Sequence, residues 1–358
     1  MSKANSKTSS RYPQSLDLKH GKVEMAHGAG GKAMAQLIEQ LFVEAFDNPM
    51  LRAQNDQASL DLSLAGVPFE RIVMATDSHV ISPIFFPGGD IGALSVHGTV
   101  NDVVLSGAKA LYLSAGFILE EGYPLADLKR IVESMAAAAR EAEVAIVTGD
   151  TKVVEKGSGD GVFINTTGVG VLPSGLSLSA DQVRVGDKVL VSGTLGDHGV
   201  AIMSLRENLT FETTIESDSQ SLHSLTAMMV EQVPEIRCMR DPTRGGLAAT
   251  LNEIAGQAGV GIELDEEQIP VRPQVAAACE FLGLDPLYVA NEGKLVAFCP
   301  PQQADQLLAL MREHPQGQEA AIVGEVIEDP NAFVQLRTSF GGVRMVDWIS
   351  GEQLPRIC

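Results

Sequence analysis

Residues 111–152 read LYLSAGFILEEGYPLADLKRIVESMAAAAREAEVAIVTGDTK. The first nine are an apolar run of strand length. Residues 125–142 are Ala-rich and amphipathic, with Pro124 just before them, where a missing N–H costs a helix nothing. Residues 144–147 form a second apolar run, which passes into Thr148-Gly149-Asp150-Thr151-Lys152-Val153-Val154. Strand, helix and strand in that order predict an α/β layered domain.

The same alternation extends both ways. Upstream, residues 71–75 read as a buried strand ending in Thr76-Asp77-Ser78-His79. A carboxylate at the end of a buried strand faces a cleft more often than a core, because unpaired buried charge is costly. Pro87-Gly88-Gly89-Asp90-Ile91-Gly92 starts a helix running to about Ser106, with His97-Gly98-Thr99-Val100-Asn101-Asp102 on its face. An Asn-Asp pair in an apolar helix is either an internal hydrogen-bonded cap or a source of oxygen ligands for Mg²⁺. Residues 55–64 read as a turn entering a short strand. Residues 33–46 read as a helix opened by the loop His27-Gly28-Ala29-Gly30-Gly31-Lys32, whose free N–H groups suit an anion. Downstream, residues 163–171 are a strand and 173–185 a polar connection. A second α/β unit follows, with helices at 200–206 and 247–258, a polar insertion at 208–221, a strand at 295–298 and its last sheet residues near 333–345. The expected organisation is a disordered extension at 1–21, a first domain at 22–175, a second at 176–345 and a mobile tail at 346–358.

Length and charge narrow the function. A chain of 358 residues favours two domains. A net charge of −20 excludes nucleic acid as the main partner but leaves a nucleotide open. The N-terminus has no apolar stretch of signal-peptide length, and no run of 18 apolar residues occurs, so no membrane is expected and the cytoplasm is the default compartment. Of the four cysteines none lies in a C-x-x-C motif, and Cys279 and Cys299 read as packed core thiols. The fourth is terminal, in Pro355-Arg356-Ile357-Cys358. Read alone, this tail is either a frayed end that happens to finish in cysteine or a tether: from Gly341-Gly342 onward it spans on the order of 50 Å when extended, enough to carry that thiol into a pocket and out again. A P-loop and a G-x-G-x-x-G after a strand are both missing, so a nucleotide would be held by another scheme.

The chemistry on offer is acidic. Asp56, Asp77, Asp102, Asp150 and Asp241 stand beside glycines or strand ends. Each alone reads as a solvated turn residue; together they suit Mg²⁺ and a polyphosphate. Lys152 is either a surface lysine or a point charge for a phosphoryl group. Glu292, in Asn291-Glu292-Gly293-Lys294, is either a turn residue or a general base set by partial burial.

These strings, with Arg240-Asp241-Pro242-Thr243-Arg244-Gly245-Gly246 and the terminal Pro355-Arg356-Ile357-Cys358, resemble the HypE family of hydrogenase-maturation proteins from about Lys22 to the end. The sequence departs from the family pattern at Ala93, where lysine is expected. The resemblance implies an aminoimidazole ribonucleotide synthetase-like fold: two α/β domains per chain, dimerising through the first. It implies that a carbamoyltransferase, HypF, loads Cys358, that ATP drives dehydration of the carbamoyl group to a thiocyanate, and that the HypC–HypD complex receives the cyano group as an iron ligand of [NiFe]-hydrogenase. It implies Asp56, Asp77, Asp102 and Asp241 as Mg²⁺ ligands. For the nucleotide it implies Gly28, Gly30, Gly31, Asp77, Asn101, Asp150 and Thr151, and for the chemistry Cys358, Lys152, Glu292 and His27.

Two other readings stand beside a dehydratase that works on its own tail. One is a synthetase of the same superfamily that phosphorylates a free small molecule; it would need no thiol tail. The other is a non-catalytic carrier that ferries a modified tail; it would need no metal–ATP site.

Overall fold

The computed structural model describes residues 16–29, 31–52, 57–207 and 214–348. Strands β1 (Phe69–His79), β2 (Lys109–Glu120), β3 (Ala145–Val154) and β4 (Val162–Pro173) form the first sheet, in the order β1-β4-β2-β3. β2 and β3 are parallel, whereas β4 runs antiparallel to both its neighbours. The parallel pair needs a crossover, and helix α2 (Leu125–Glu141) supplies it. Its buried Leu125, Leu128, Ile131, Val132, Met135 and Ala139 recur every three or four residues and make one apolar stripe. Burying each of the larger side chains contributes about 1.5–3 kcal/mol.

Helix α1 (Ile91–Val104) lies between that sheet and the second domain and is buried nearly all round, Ser95, Thr99 and Asn101 included. Asp90 caps it, its carboxylate accepting from the N–H groups of Gly92 and Ala93.

The second sheet has seven strands: β5 (Lys188–Val191), β6 (Cys238–Arg240), β7 (Gly261–Asp265), β8 (Val296–Cys299), β9 (Ala321–Ile327), β10 (Val334–Arg337) and β11 (Val343–Met345). Their order is β11-β10-β7-β9-β5-β8-β6. Helix α3 (Asp197–Arg206) follows β5, and α4 (His223–Gln232) precedes β6. Helix α5 (Gly246–Ala258) packs Leu247, Leu251 and Ile254 with Val189, Ile262 and Phe298. The first domain's core runs without a break into Leu190, Leu222, Leu225, Met229 and Leu307 of the second. The two domains therefore share apolar packing at their junction.

Several expectations need correction. β1 is not a buried strand: Ile72 is 59% and Met74 71% exposed, because the sheet face opposite α1 is open there. Residues 57–65 do not enter a strand; they end in a 3-10 turn, Leu62–Ala65, whose cap Asp61 accepts from Ser63 N–H. The ordered chain begins before residue 22, since Leu16 and Leu18 pack on the first core. The second domain reaches past residue 345: Val346 is fully buried, and the Asp347 carbonyl accepts from the Tyr288 hydroxyl. The described part of the 208–221 insertion, 214–221, is a strap packed into the junction, with Ile215 and Ser221 buried. Cys238, Cys279 and Cys299 are buried free thiols; burial pushes them up to about 11, 11 and 12 respectively.

Candidate active site at the domain junction

Four carboxyls from four separate elements meet in electrostatic range. Asp77 comes from β1 and Asp102 from α1, while Asp241 follows β6 and Glu292 precedes β8. Gly98 on α1 makes room for the first, since a Cβ there would lie 3.3 Å from Asp77 Oδ2. Asp77 Oδ2 also stands 3.6 Å from His79 Nε2. His79 is buried, which depresses its proton affinity; the Asp77 charge offsets this in part, and Arg244 of the second domain adds to the depression. Asp102 opens to the cleft, yet surrounding protein and then the Asp241 and Asp77 charges push its carboxyl up to about 7, against Arg240. Asp241 is raised by burial first, with Asp77 and Glu253 adding to it.

Glu292 is the extreme case. It is 4% exposed, and its Oε1 has no hydrogen-bond partner among the described residues. Burial first, then Asp218, Asp241, Asp77 and Asp102, raise its carboxyl well above the usual range. A crowded set of hard oxygens suits a divalent cation, which would relieve the repulsion. Among the described residues no three carboxylates or imidazoles already converge as a cage. A cation held by Asp77, Asp102 and Asp241 would complete its shell with phosphate and water, as Mg²⁺ prefers. Asp56 lies outside the described residues.

A second group sits elsewhere. Lys152 and Asp150 form an ion pair at 2.8 Å on β3, both largely exposed. The Lys152 hydrogen bond is the main cause that holds the Asp150 carboxyl below its ordinary value. In the register, Asp77 shares a row with Thr166, Ala115 and Gly149, while Ser78 shares the next with Asn165, Gly116 and Asp150. Successive rows point to opposite faces. Asp150 and Lys152 therefore lie on the open face with Ile118, and Asp77 lies on the α1 face, three strands or about 15 Å away. One chain does not bring these two groups together.

The remaining candidates fall near β3 or inside the junction. His27 is buried in a 3-10 turn, its Nδ1 accepting from Glu24 N–H, and burial depresses its proton affinity. Gly28 abuts β3: a Cβ there would lie 2.6 Å from Val153 N. Gly31 precedes the helix that starts at Lys32, and Thr151 is buried on the inner face of β3. Asn101 spends its amide on the strap. It accepts from Leu222 N–H and donates to the carbonyls of Gln220 and Glu292. Gly30 and Cys358 lie outside the described residues. Asp218 had no signal in the sequence, because it sits in a polar stretch that reads as an insertion.

Comparison with known proteins bears on the family and the fold. Residues 55–172 match the family described as AIR synthase related protein, N-terminal domain, and residues 184–337 match its C-terminal domain. The carbamoyl dehydratase HypE of Azotobacter vinelandii is 68% identical over 343 residues, covering 96% of this chain and 99% of that one. The chain belongs to the HypE family. A crystal structure of the hydrogenase maturation protein HypE in complex with ATP superposes on 94% of this chain and 99% of its own, with TM-score 0.89 and 50% identity. A HypE–HypF complex matches 87% of this chain and 99% of that one, with TM-score 0.76 and 50% identity. The fold is thus the two-domain AIR synthase-like fold of the HypE family.

Proposed function

We propose that this chain is an ATP-dependent carbamoyl dehydratase that acts on the thiol of its own Cys358. The observation that carries the reading is Glu292: a buried carboxyl whose Oε1 has no partner among the described residues, facing the carboxylates of the junction. Family membership supports the reaction class, and the ATP complex of a relative supports the co-substrate.

An amide oxygen leaves poorly until it is phosphorylated. The carbonyl oxygen of the S-carboxamide attacks the γ-phosphorus of ATP, the bond to the β-phosphate oxygen breaks, and ADP leaves. The nitrogen then gives up both N–H protons, the C–O bond breaks, phosphate departs with the oxygen, and C≡N remains on sulfur. Glu292 takes a proton in this sequence; a carboxyl with raised proton affinity is the better base near neutral pH. Asp77, Asp102 and Asp241 would hold Mg²⁺, which supplies charge neutralisation to the phosphates when bound. The glycines 28–31, with Asp150 and Thr151, serve the nucleotide. The buried His27 holds the turn that leads into that loop. Lys152 steadies the transferring phosphoryl group.

Lys152, with Asp150 and the glycines beside β3, would serve the junction of a second copy. The open face that carries it also exposes Ile72, Met74 and Ile118, and a partner sheet would cover these side chains. The chain therefore works as a homodimer through its first domain. HypF loads the thiol, in keeping with a HypE–HypF complex among the relatives, and HypC–HypD receives the product. Among the described residues no helix is long and apolar enough to cross a membrane, and the cytoplasm is the compartment proposed. The proposed units are a first domain to residue 175, a second from residue 176, and a tail carrying the thiol.

The test is intact-mass analysis after incubation with the carbamoyltransferase, carbamoyl phosphate and ATP. The chain should gain one carbamoyl group and then lose one water only when ATP is present. Loading without ATP-dependent water loss would leave the chain a carrier and end the dehydratase reading.

A further inference from the structure

Glu292 is gripped by its backbone. Its N–H donates to Asp218 Oδ1 at 3.1 Å, and its carbonyl accepts from Asn101 Nδ2 at 3.4 Å. The Gly293 carbonyl accepts from Gln220 Nε2 at 2.9 Å. The strap passes so close that a Cβ on Gly293 would lie 1.9 Å from the Asp218 carbonyl oxygen. Asp218 Oδ2 faces Lys294 Nζ at 3.2 Å, and the two side chains are 3% and 8% exposed. Burial alone would raise the Asp218 carboxyl, but Lys294 and His198 more than offset it and hold it below its ordinary value. One carboxylate thus uses one oxygen on the Glu292 backbone and the other on Lys294, two residues further along.

The strap is tied to the first domain as well. Ser217 N–H donates to the Pro87 carbonyl, Ser219 bonds His97 Nδ1 at 2.9 Å, and Leu222 N–H donates to Asn101 Oδ1. α1 carries both Asn101 and Asp102, so one anchor joins the placing of Glu292 to that of a carboxylate it faces.

We propose that Asp218, fixed by Lys294, is a positioning residue for Glu292: it holds the Asn291–Lys294 turn so that the Glu292 carboxyl faces the junction carboxylates. The inference rests on the reading of Glu292 as the base. Fold stability alone gives little reason for the pair, since a buried ion pair is often replaceable by neutral groups at no net cost. A working geometry gives one, because a base displaced by an ångström loses most of its effect.

The test uses two double variants, so that no lysine is left buried without its partner. Asp218→Ala with Lys294→Met removes the acceptor for the Glu292 N–H; Asp218→Asn with Lys294→Met keeps it. Single-turnover conversion of the carbamoylated chain is read by intact mass at saturating ATP, beside ATP affinity and the melting temperature. The alanine double should convert at least about tenfold more slowly with ATP affinity within about twofold, and the asparagine double should recover to within about threefold of wild type. An alanine double within about twofold of wild type overturns the proposal, and so does an asparagine double as slow as the alanine one. Failure of the wild-type chain to convert would instead strike the dehydratase reading itself.

Discussion

Replacing the Glu292 carboxyl with an amide of the same shape separates binding from turnover. Glu292→Gln should leave ATP affinity nearly unchanged and slow water loss by about 10²–10⁴-fold, the usual worth of a positioned base. Calorimetry with ATP beside single-turnover mass analysis checks both halves. Asp102 answers to a different balance. It opens to the cleft but is raised to about 7 by the surrounding protein and by Asp241 and Asp77, so its charge is uncomfortable without a cation. Asp102→Asn should weaken Mg²⁺–ATP binding by tenfold or more while the melting temperature without Mg²⁺ holds or rises. A fall in that melting temperature, with ATP affinity intact, would remove Asp102 from the metal site. His97 sets an acid limit. Burial lowers it from its ordinary value to about 4, with His223 adding to the effect. Below its unfolded value the unfolded chain takes up a proton that the folded chain refuses, so stability falls as the pH drops toward 4 and then levels. Its share is roughly 3 kcal/mol, and His97→Gln should flatten that part of a urea-midpoint profile.

At the scale of elements, α2 shows what a sequence makes plain. Its stripe repeats every three or four residues, Pro124 marks its start, and it crosses over between parallel strands, so both its existence and its role were legible. Leu128→Ala, at a fully buried position of that stripe, should cost 2–5 kcal/mol in chemical denaturation. β1 was legible as a strand but not in its burial. Apolar side chains on both faces of a strand mean either a core on both sides or one face waiting for a partner, and a single chain cannot distinguish them. The site was half legible. Asn291-Glu292-Gly293-Lys294 stands out by composition, as do Asp77, Asp102 and Asp241. Their convergence depends on four elements spread over more than 200 residues, which no local pattern encodes. The strap was illegible: Asp218 binds Glu292 across 74 positions and lies in a stretch with neither period.

At the scale of the whole molecule, the separation of Lys152 from the junction makes a sharp demand. If Lys152 acts across a dimer, Lys152→Ala and Glu292→Gln chains are each inactive alone but complement when mixed and allowed to exchange, because one site in each heterodimer is whole. Mixed chains that stay as inactive as the separate ones would put Lys152 in its own chain's site or outside catalysis. The burial of three thiols reaches further than packing. At neutral pH Cys238, Cys279 and Cys299 are both shielded and protonated, so they are slow towards disulfide dyes and maleimides. The chain holds four cysteines. Any fast dye uptake by the native protein is therefore assignable to Cys358, and denaturant unmasks the rest as an internal standard. A colorimetric thiol count becomes an occupancy gauge: the native signal vanishes as the sulfur is loaded, stays absent as the cargo is dehydrated, and returns when the cyano group is handed on.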